Sequence, residues 1–478
     1  MDTISRVNQF TSILPYELVE EIFLLCRSPF EWGDHDCDPK PHPPVTNVPL
    51  LLSHVSKTWR EIVHATPALW TNVCIHNQPP RPHPEILQQI LRYSGDRCLA
   101  ACIGIYGLNS NFMEWIDVRI QELFRHSDRI CSFRLLIRLQ GNLWGENIPV
   151  PPFPRLEKLT VKFRSLPGHS VARLHPLFDS PRLQKVIWIS DDQYPKPLLR
   201  MGAQIKELIF PRPLVNYVQL AELLQACPNL TYLNVCPRGR YHPVPNYPIH
   251  LQDLHTFCSN ELGVDLVIAP NLRRLTLTQA PAGHPHKMMH LHQFLALAPQ
   301  IEYINLDLWN DDDLIFQIAP LTPCLATLEF NFRAVPDVST LNKVFAMLTH
   351  SHTGAPSSPL PKLQHLILDV LKFGRDAEPL VYDAEMLLHM LGSRCGPNQT
   401  SLDRTVAALR SCTMNYKDYR GDPIHDSPLS RAADAKRCLE VLGRHGLVLQ
   451  GNVFTSILSD SQLSYPRSDS NILRFGDS

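Results

Sequence analysis

The feature that most constrains this chain is a short apolar phrase, P-x-L-x-x-L-x-(V/L/F), that recurs from about residue 130 onward. It is met at Ile130/Phe133/Leu135, Leu156/Leu159/Val161, Leu183/Val186/Trp188, Ile205/Leu208/Phe210 and Leu230/Leu233/Val235. It continues at Leu251/Leu254, Leu272/Leu275/Leu277, Ile301/Ile304/Leu306, Leu325/Leu328/Phe330 and Leu363/Leu366/Leu368. Successive first anchors lie 21 to 29 residues apart, with one longer step of 38. That step contains residues 336–361, whose SHTGAPSSPLP reads as a surface-loop insertion. A period of this size marks arrays in which one supersecondary unit cannot bury its apolar face alone. Apolar helical runs at 218–226, 291–298 and 341–348 fill several of the gaps. The spacing therefore predicts an α/β chain with strand-plus-helix units stacked into a curved solenoid over residues 130–456.

The L-x-x-L-x-L phrase at this period resembles the leucine-rich repeat, in an irregular form without an asparagine ladder. Its apolar anchors are expected in the core. Residues alternating with them point the other way, because successive strand side chains face opposite sides of a sheet. Those outward positions include Lys158, Lys162 and Lys185 early, with Thr160 between them. Tyr232, Asn234, Arg274, Tyr303 and Asn305 follow, then Asp307, Glu329, Asn331, His365 and Asp369, with an acidic run at 311–313 nearby. A face running from basic through aromatic to acidic would suit a protein segment of opposite polarity, with Tyr supplying anchoring area. Ordinary solvated strand faces would give the same pattern, and the sequence leaves both readings open.

The first 70 residues differ. Leu14-Pro15 before Glu17 reads as a helix start, since proline is tolerated at the first helical position and an acid suits the helix dipole there. Leu18, Ile22 and Cys26 recur at four-residue spacing, flanked by Phe23 and Leu25, with Glu17, Glu20 and Glu21 opposite. Residues 27–49 hold six prolines together with Asp34, His35, Asp36 and Asp38, and cannot form regular structure. A second helix is predicted over 50–65, with Leu52, Val55, Trp59 and Ile62 or Val63 on one face. Thr66-Pro67 ends it, and Leu69 and Trp70 are expected to fold back as an apolar clasp.

At these residues the chain resembles the F-box-like domains of mushroom-forming fungi. Their pattern LP-x-E-L-x-x-E-I-F is met at Leu14-Pro15-Tyr16-Glu17-Leu18 and Glu21-Ile22-Phe23. The later parts are met at Leu52-Ser53-His54-Val55, Trp59-Arg60-Glu61-Ile62 and Thr66-Pro67-Ala68-Leu69-Trp70. The match departs from the family at Ser56, where cysteine is common, and in its long acidic inter-helix loop. The resemblance implies that the module binds the small Skp-type adaptor of cullin–RING ubiquitin ligases, with Leu14, Pro15, Leu18, Ile22, Phe23 and Val55 as adaptor-binding residues. Trp59 and Trp70 are expected in the core. An N-terminal helical cap that binds nothing is the alternative.

Composition excludes several other classes. With 45 Lys plus Arg against 46 Asp plus Glu, nothing draws the chain to nucleic acid or to an anionic membrane. The start has no signal-peptide character, and no apolar run approaches the roughly 18 residues a membrane span needs. Thirteen cysteines without paired spacing read as reduced thiols, in keeping with a cytoplasmic or nuclear protein. G-x-S-x-G, a phosphate-binding Gly-rich loop and H-E-x-x-H are all missing, so no catalytic residue is assigned. His284, His286, His290 and His292 cluster, with His286 and His290 at i, i+4. They lack a local carboxylate or cysteine to complete a metal site. Cys26, His35, Cys37 and His42 match no closed zinc spacing, and no metal or cofactor is expected.

The sequence thus predicts a tail over 1–12, an F-box-like module over 13–75 with its Pro-rich insert, and a connecting segment over 76–129. The solenoid follows over 130–456, and a Ser- and Asp-rich tail over 457–478 is expected to be disordered. The functional expectation is a substrate receptor that holds an adaptor, and through it a cullin, while the solenoid binds a protein substrate. The alternative is an interaction scaffold outside any ligase.

Overall fold

The computed structural model describes residues 14–26, 48–76, 84–105, 113–140, 148–165, 173–190, 202–211, 217–237, 248–260, 263–278, 285–308, 317–332, 338–349, 360–372, 383–395, 407–418, 435–444, 446–451, 453–454 and 472–473. Most of the expected Pro-rich insert and terminal tails, the acidic run 311–313 and His284 lie outside these residues. The fold is mixed α/β and divides into two compact units, Met1–Val215 and Asn216–Ser478.

The first unit begins with helices α1 (Tyr16–Cys26), α2 (Val48–Ser53) and α3 (Lys57–Ala65), then a 3-10 turn at Pro67–Trp70. Helix α1 starts where proline predicts, with the Leu18 and Val19 amides bonded to the Pro15 carbonyl. It buries Val19 and Phe23, and the Phe23 ring lies 4.7 Å from that of Trp59. The continuous second helix expected over 50–65 is instead two helices broken at 54–56. The cause is Ser56, whose hydroxyl accepts the Trp59 amide at 3.1 Å and caps a new helix. The clasp forms as expected: Leu69 and Trp70 are buried, and the Trp70 indole donates to the Val63 carbonyl at 2.8 Å.

Six parallel strands follow in sequence order: β1 (Asn72–His76), β2 (Leu99–Ile105), β3 (Ile130–Gln140), β4 (Lys158–Ser165), β5 (Lys185–Ser190) and β6 (Glu207–Phe210). Helices α4 (Pro84–Tyr93), α5 (Met113–Phe124) and α6 (His175–Phe178) lie in the crossovers. The ladder thus starts at residue 72, and the connecting segment 76–129 carries strand β2 with helices α4 and α5. Strands β1 and β2 escaped the repeat phrase because Val73/Ile75 and Ala101/Ile103/Ile105 are simple alternations without the Leu-x-x-Leu entry.

In the second unit the parallel order is β7 (Tyr232–Val235), β9 (Thr256–Ser259), β11 (Arg274–Leu277), β12 (Tyr303–Leu308), β13 (Thr327–Phe332), β14 (His365–Lys372), β15 (Ser411–Asp418) and β16 (Val448–Gln450). Strands β8 (Ile249–His250) and β10 (Val267–Ile268) form a separate parallel pair. Helices α7 (Tyr217–Ala226), α8 (Pro285–Ala296), α9 (Val338–Leu348), α10 (Ala384–Cys395) and α11 (Ala435–Arg444) alternate with the strands. Strand β15 lacks the leucine phrase: Leu409, Cys412 and Met414 stand in its place, all buried. Strand β17 (Ile472–Leu473) pairs antiparallel with β16, an apolar dipeptide within the tail expected to lack structure.

A repeated backbone device explains the phrase. The first anchor closes a turn, as in Leu272 N–H to Ala269 O and Leu325 N–H to Thr322 O, both 3.1 Å. Two successive amides then bond one carbonyl of the preceding unit: Ala326 and Thr327 to Glu302, Gln364 and His365 to Ala326, Arg410 and Ser411 to Gln364. The same fork joins Gln184 and Lys185 to Glu157 in the first unit. Each entry is therefore registered on its neighbour, and the second anchors Phe257, Leu275, Ile304, Leu328, Leu366 and Cys412 form one buried row.

Candidate interaction surfaces

Helix α1 carries two apolar stripes. Val19 and Phe23 face inward, whereas Leu18, Ile22 and Leu25 are 51%, 38% and 81% exposed. Spacings of four and three put the exposed three on one side of the helix. Leu14 is half-buried and Pro15 exposed, and beyond α1 Leu51 and Val55 are also exposed. Leu14, Pro15, Leu18, Ile22 and Val55 are thus accessible. Phe23 is a correction: at 1% exposure against Trp59 it belongs to the core, because a helix turn of about 100° per residue swings it from the Leu18–Ile22 line toward Val19. Trp59 is only half-buried, whereas Trp70 is fully in the core.

Behind this surface, Trp70 and Tyr93 rings lie 4.9 Å apart and His64 stacks on Tyr93 at 4.3 Å, tying α3 to α4. Burial, with Arg60 and Arg92 nearby, holds the His64 imidazole below its ordinary pKa.

The outward strand faces are arranged in rows by register. In the first unit Ser132, Lys158, Lys185 and Glu207 share a row. Lys158 is exposed, but Lys185 forms an ion pair with Glu207 at 2.9 Å, so the expected basic patch is partly neutralised by the next strand. Lys162, one alternation further along β4, is half-buried.

In the second unit one row runs Tyr232, Thr256, Arg274, Tyr303, Thr327, His365 and Ser411. The next runs Asn234, Cys258, Thr276, Asn305, Glu329, Ile367 and Thr413. The third holds Asp307, Asn331, Asp369 and Asn415. Across these rows the Arg274 guanidinium lies 4.4 Å from the Tyr303 ring centre, and the Tyr303 hydroxyl donates to Glu329 at 2.5 Å. Burial, reinforced by Glu329, pushes the Tyr303 phenol up to about 12. Asn331 donates to Asn305 at 2.8 Å and Asn415 to Asp369 at 2.7 Å. Asn415 was missed with its strand. Asp307 shares the face but is 5% exposed, so it is not offered to a partner as the alternation suggested; it sits close enough to Cys236 to help hold that thiol protonated.

The result is a preorganised polar and aromatic platform that can hydrogen-bond and stack against a polypeptide. His365 Nδ1 and Ser411 Oγ are 2.7 Å apart, but burial, with Arg410 nearby, disfavours the imidazolium that a general base must become. No carboxylate contacts that imidazole among the described residues. His290 lies on α8 with Nδ1 3.4 Å from Asp265, a contact outside hydrogen-bonding geometry. No group of three metal-ligating side chains occurs among the described residues. Nor is any helix among them long and apolar enough to cross a membrane.

No protein-family model matches the chain, and no curated protein sequence does. Among solved structures, a crystal structure of a protein from Bacteroides fragilis is similar at 9% identity and a TM-score of 0.24, covering 70% of this chain and 72% of that one. Fold and surface together define a class, that of α/β strand–helix repeat proteins with helices at the N-terminus.

Proposed function

We propose that this chain is the substrate-receptor subunit of a Skp–cullin–F-box type ubiquitin ligase. The observation that carries the reading is the outward stripe Leu18–Ile22, with Leu14, Pro15 and Val55 also accessible, at positions where the F-box-like pattern puts adaptor contacts. Exposed apolar side chains grouped on one helix side are what a partner would cover. In this scheme the strand platforms hold a protein substrate, and ubiquitin transfer is accelerated by proximity in other subunits. The chain itself supplies position rather than a nucleophile.

Co-purification tests it. The full chain is expected to capture a Skp-type adaptor and a cullin, and the Leu18→Asp/Ile22→Asp variant to lose both while remaining folded. A folded wild-type chain that captures neither rejects the ligase role and leaves the interaction scaffold.

A further inference from the structure

Cys74 and Cys102 are far apart in sequence but directly aligned on the parallel strands β1 and β2. Both occupy the face opposite the core row of Val73, Ile75, Ala101 and Ile103. Aligned residues on neighbouring strands lie about 4.8 Å apart, inside the roughly 4.4–6.8 Å Cα separation of disulfide-bonded cysteines. The two thiols, aligned across the strands, are near enough to influence each other's protonation. Cys74 is half-buried on β1, the first strand of its sheet, and is the more accessible of the two, whereas Cys102 is 2% exposed.

We propose that Cys74 and Cys102 form a reversible thiol–disulfide couple oxidised by hydroperoxides. The Cys74 thiolate sulfur attacks the peroxide oxygen and the O–O bond breaks. A sulfenic acid forms on Cys74, and the departing oxide takes up the proton that Cys74 gave to solvent. The Cys102 sulfur then attacks the Cys74 sulfur. The S–O bond breaks and hydroxide leaves as water with the Cys102 proton, so two thiols and hydrogen peroxide give one disulfide and two waters. A dithiol reductant reverses the change. The interaction between the two thiols favours the Cys74 thiolate against that thiol's own burial, while the same interaction and burial keep Cys102 protonated, a division suited to attacking and resolving roles. Cys98 and Cys131 also approach each other, but Cys131 is the extra residue of a bulge between β2 and β3 and is not aligned with its neighbour.

The test is peptide mapping of the full native chain after brief hydrogen peroxide treatment and alkylation of remaining thiols. Cys98 and Cys102 share one tryptic peptide, so the C98S/C131S variant is mapped beside wild type. Both are expected to yield a linked pair joining the Cys74 and Cys102 peptides, lost on dithiothreitol treatment and lost in C74S and in C102S. Near-ultraviolet circular dichroism checks that the single variants fold, and the C98S/C131S map stands without them. A link solely between Cys98 and Cys131, or Cys74 oxidised onward to sulfinic acid with Cys102 still alkylated after unfolding, overturns the proposal. So does a Cys74–Cys102 link that forms only in denaturant.

Discussion

Phe23 and Leu18 carry similar apolar area on one helix, yet substitutions at each are expected to act on different properties. Phe23→Ala opens a cavity against Trp59 and should destabilise the first unit by about 3–5 kcal/mol in denaturant unfolding. Leu18→Asp alters an exposed site and should change that stability by no more than about 0.5 kcal/mol, while removing adaptor capture. The two histidines make a separate case. Burial and nearby arginines hold His64 and His365 below the ordinary imidazole value, so the folded state prefers them neutral. Their stabilisation is therefore present above about pH 6.5, the unfolded value, and is lost as pH falls through the lower folded values. Unfolding midpoints followed from pH 8 to pH 5 should fall, and His64→Gln should flatten the fall in the first unit. Tyr303 has the opposite sense. Its phenol is held neutral up to about 12, so its contribution is complete below the unfolded value near 10 and is lost as pH rises through 12.

Among the elements, the break between α2 and α3 is the clearest local decision. The apolar period across 50–65 continues through it, which is why a single helix is the natural sequence reading. Ser56 starts a separate helix there by offering its hydroxyl to the Trp59 amide. Ser56→Ala is expected to cost about 1 kcal/mol, read as a lower thermal midpoint. The strands show the same division. Those with Leu-x-x-Leu entries were legible, since the phrase encodes both the entry turn and the buried row. Strands β1, β2 and β15 use Val, Ala, Cys or Met in those places, so their burial depends on neighbouring strands rather than on a local signal.

For the whole molecule, the platform reading makes a distinct demand. If the first unit's lysines meet an acidic substrate segment, the triple reversal Lys158→Glu, Lys162→Glu and Lys185→Glu should weaken capture of that substrate at least tenfold and leave adaptor binding intact. Lys185→Glu alone should do less, because Glu207 already neutralises Lys185. Quantitative pull-downs under matched salt would measure both, and unchanged substrate capture by the triple variant would remove the basic row from the site.

By itself the sequence determined the repeat period, the alternation of strand and helix, and most of the apolar core. Those follow from spacing along a few consecutive residues, which any stacked arrangement must respect. It also carried the F-box-like pattern from which a function is proposed. Only the tertiary structure decided that Phe23 is covered while Leu18 is not, that Glu207 answers Lys185, that Asp307 is buried, and that Cys74 meets Cys102. Each of these depends on which residue of one strand or helix stands beside which residue of another, about 20 or more positions away in most cases. Register across neighbours is fixed by packing and the shared entry carbonyls, and no local period records it.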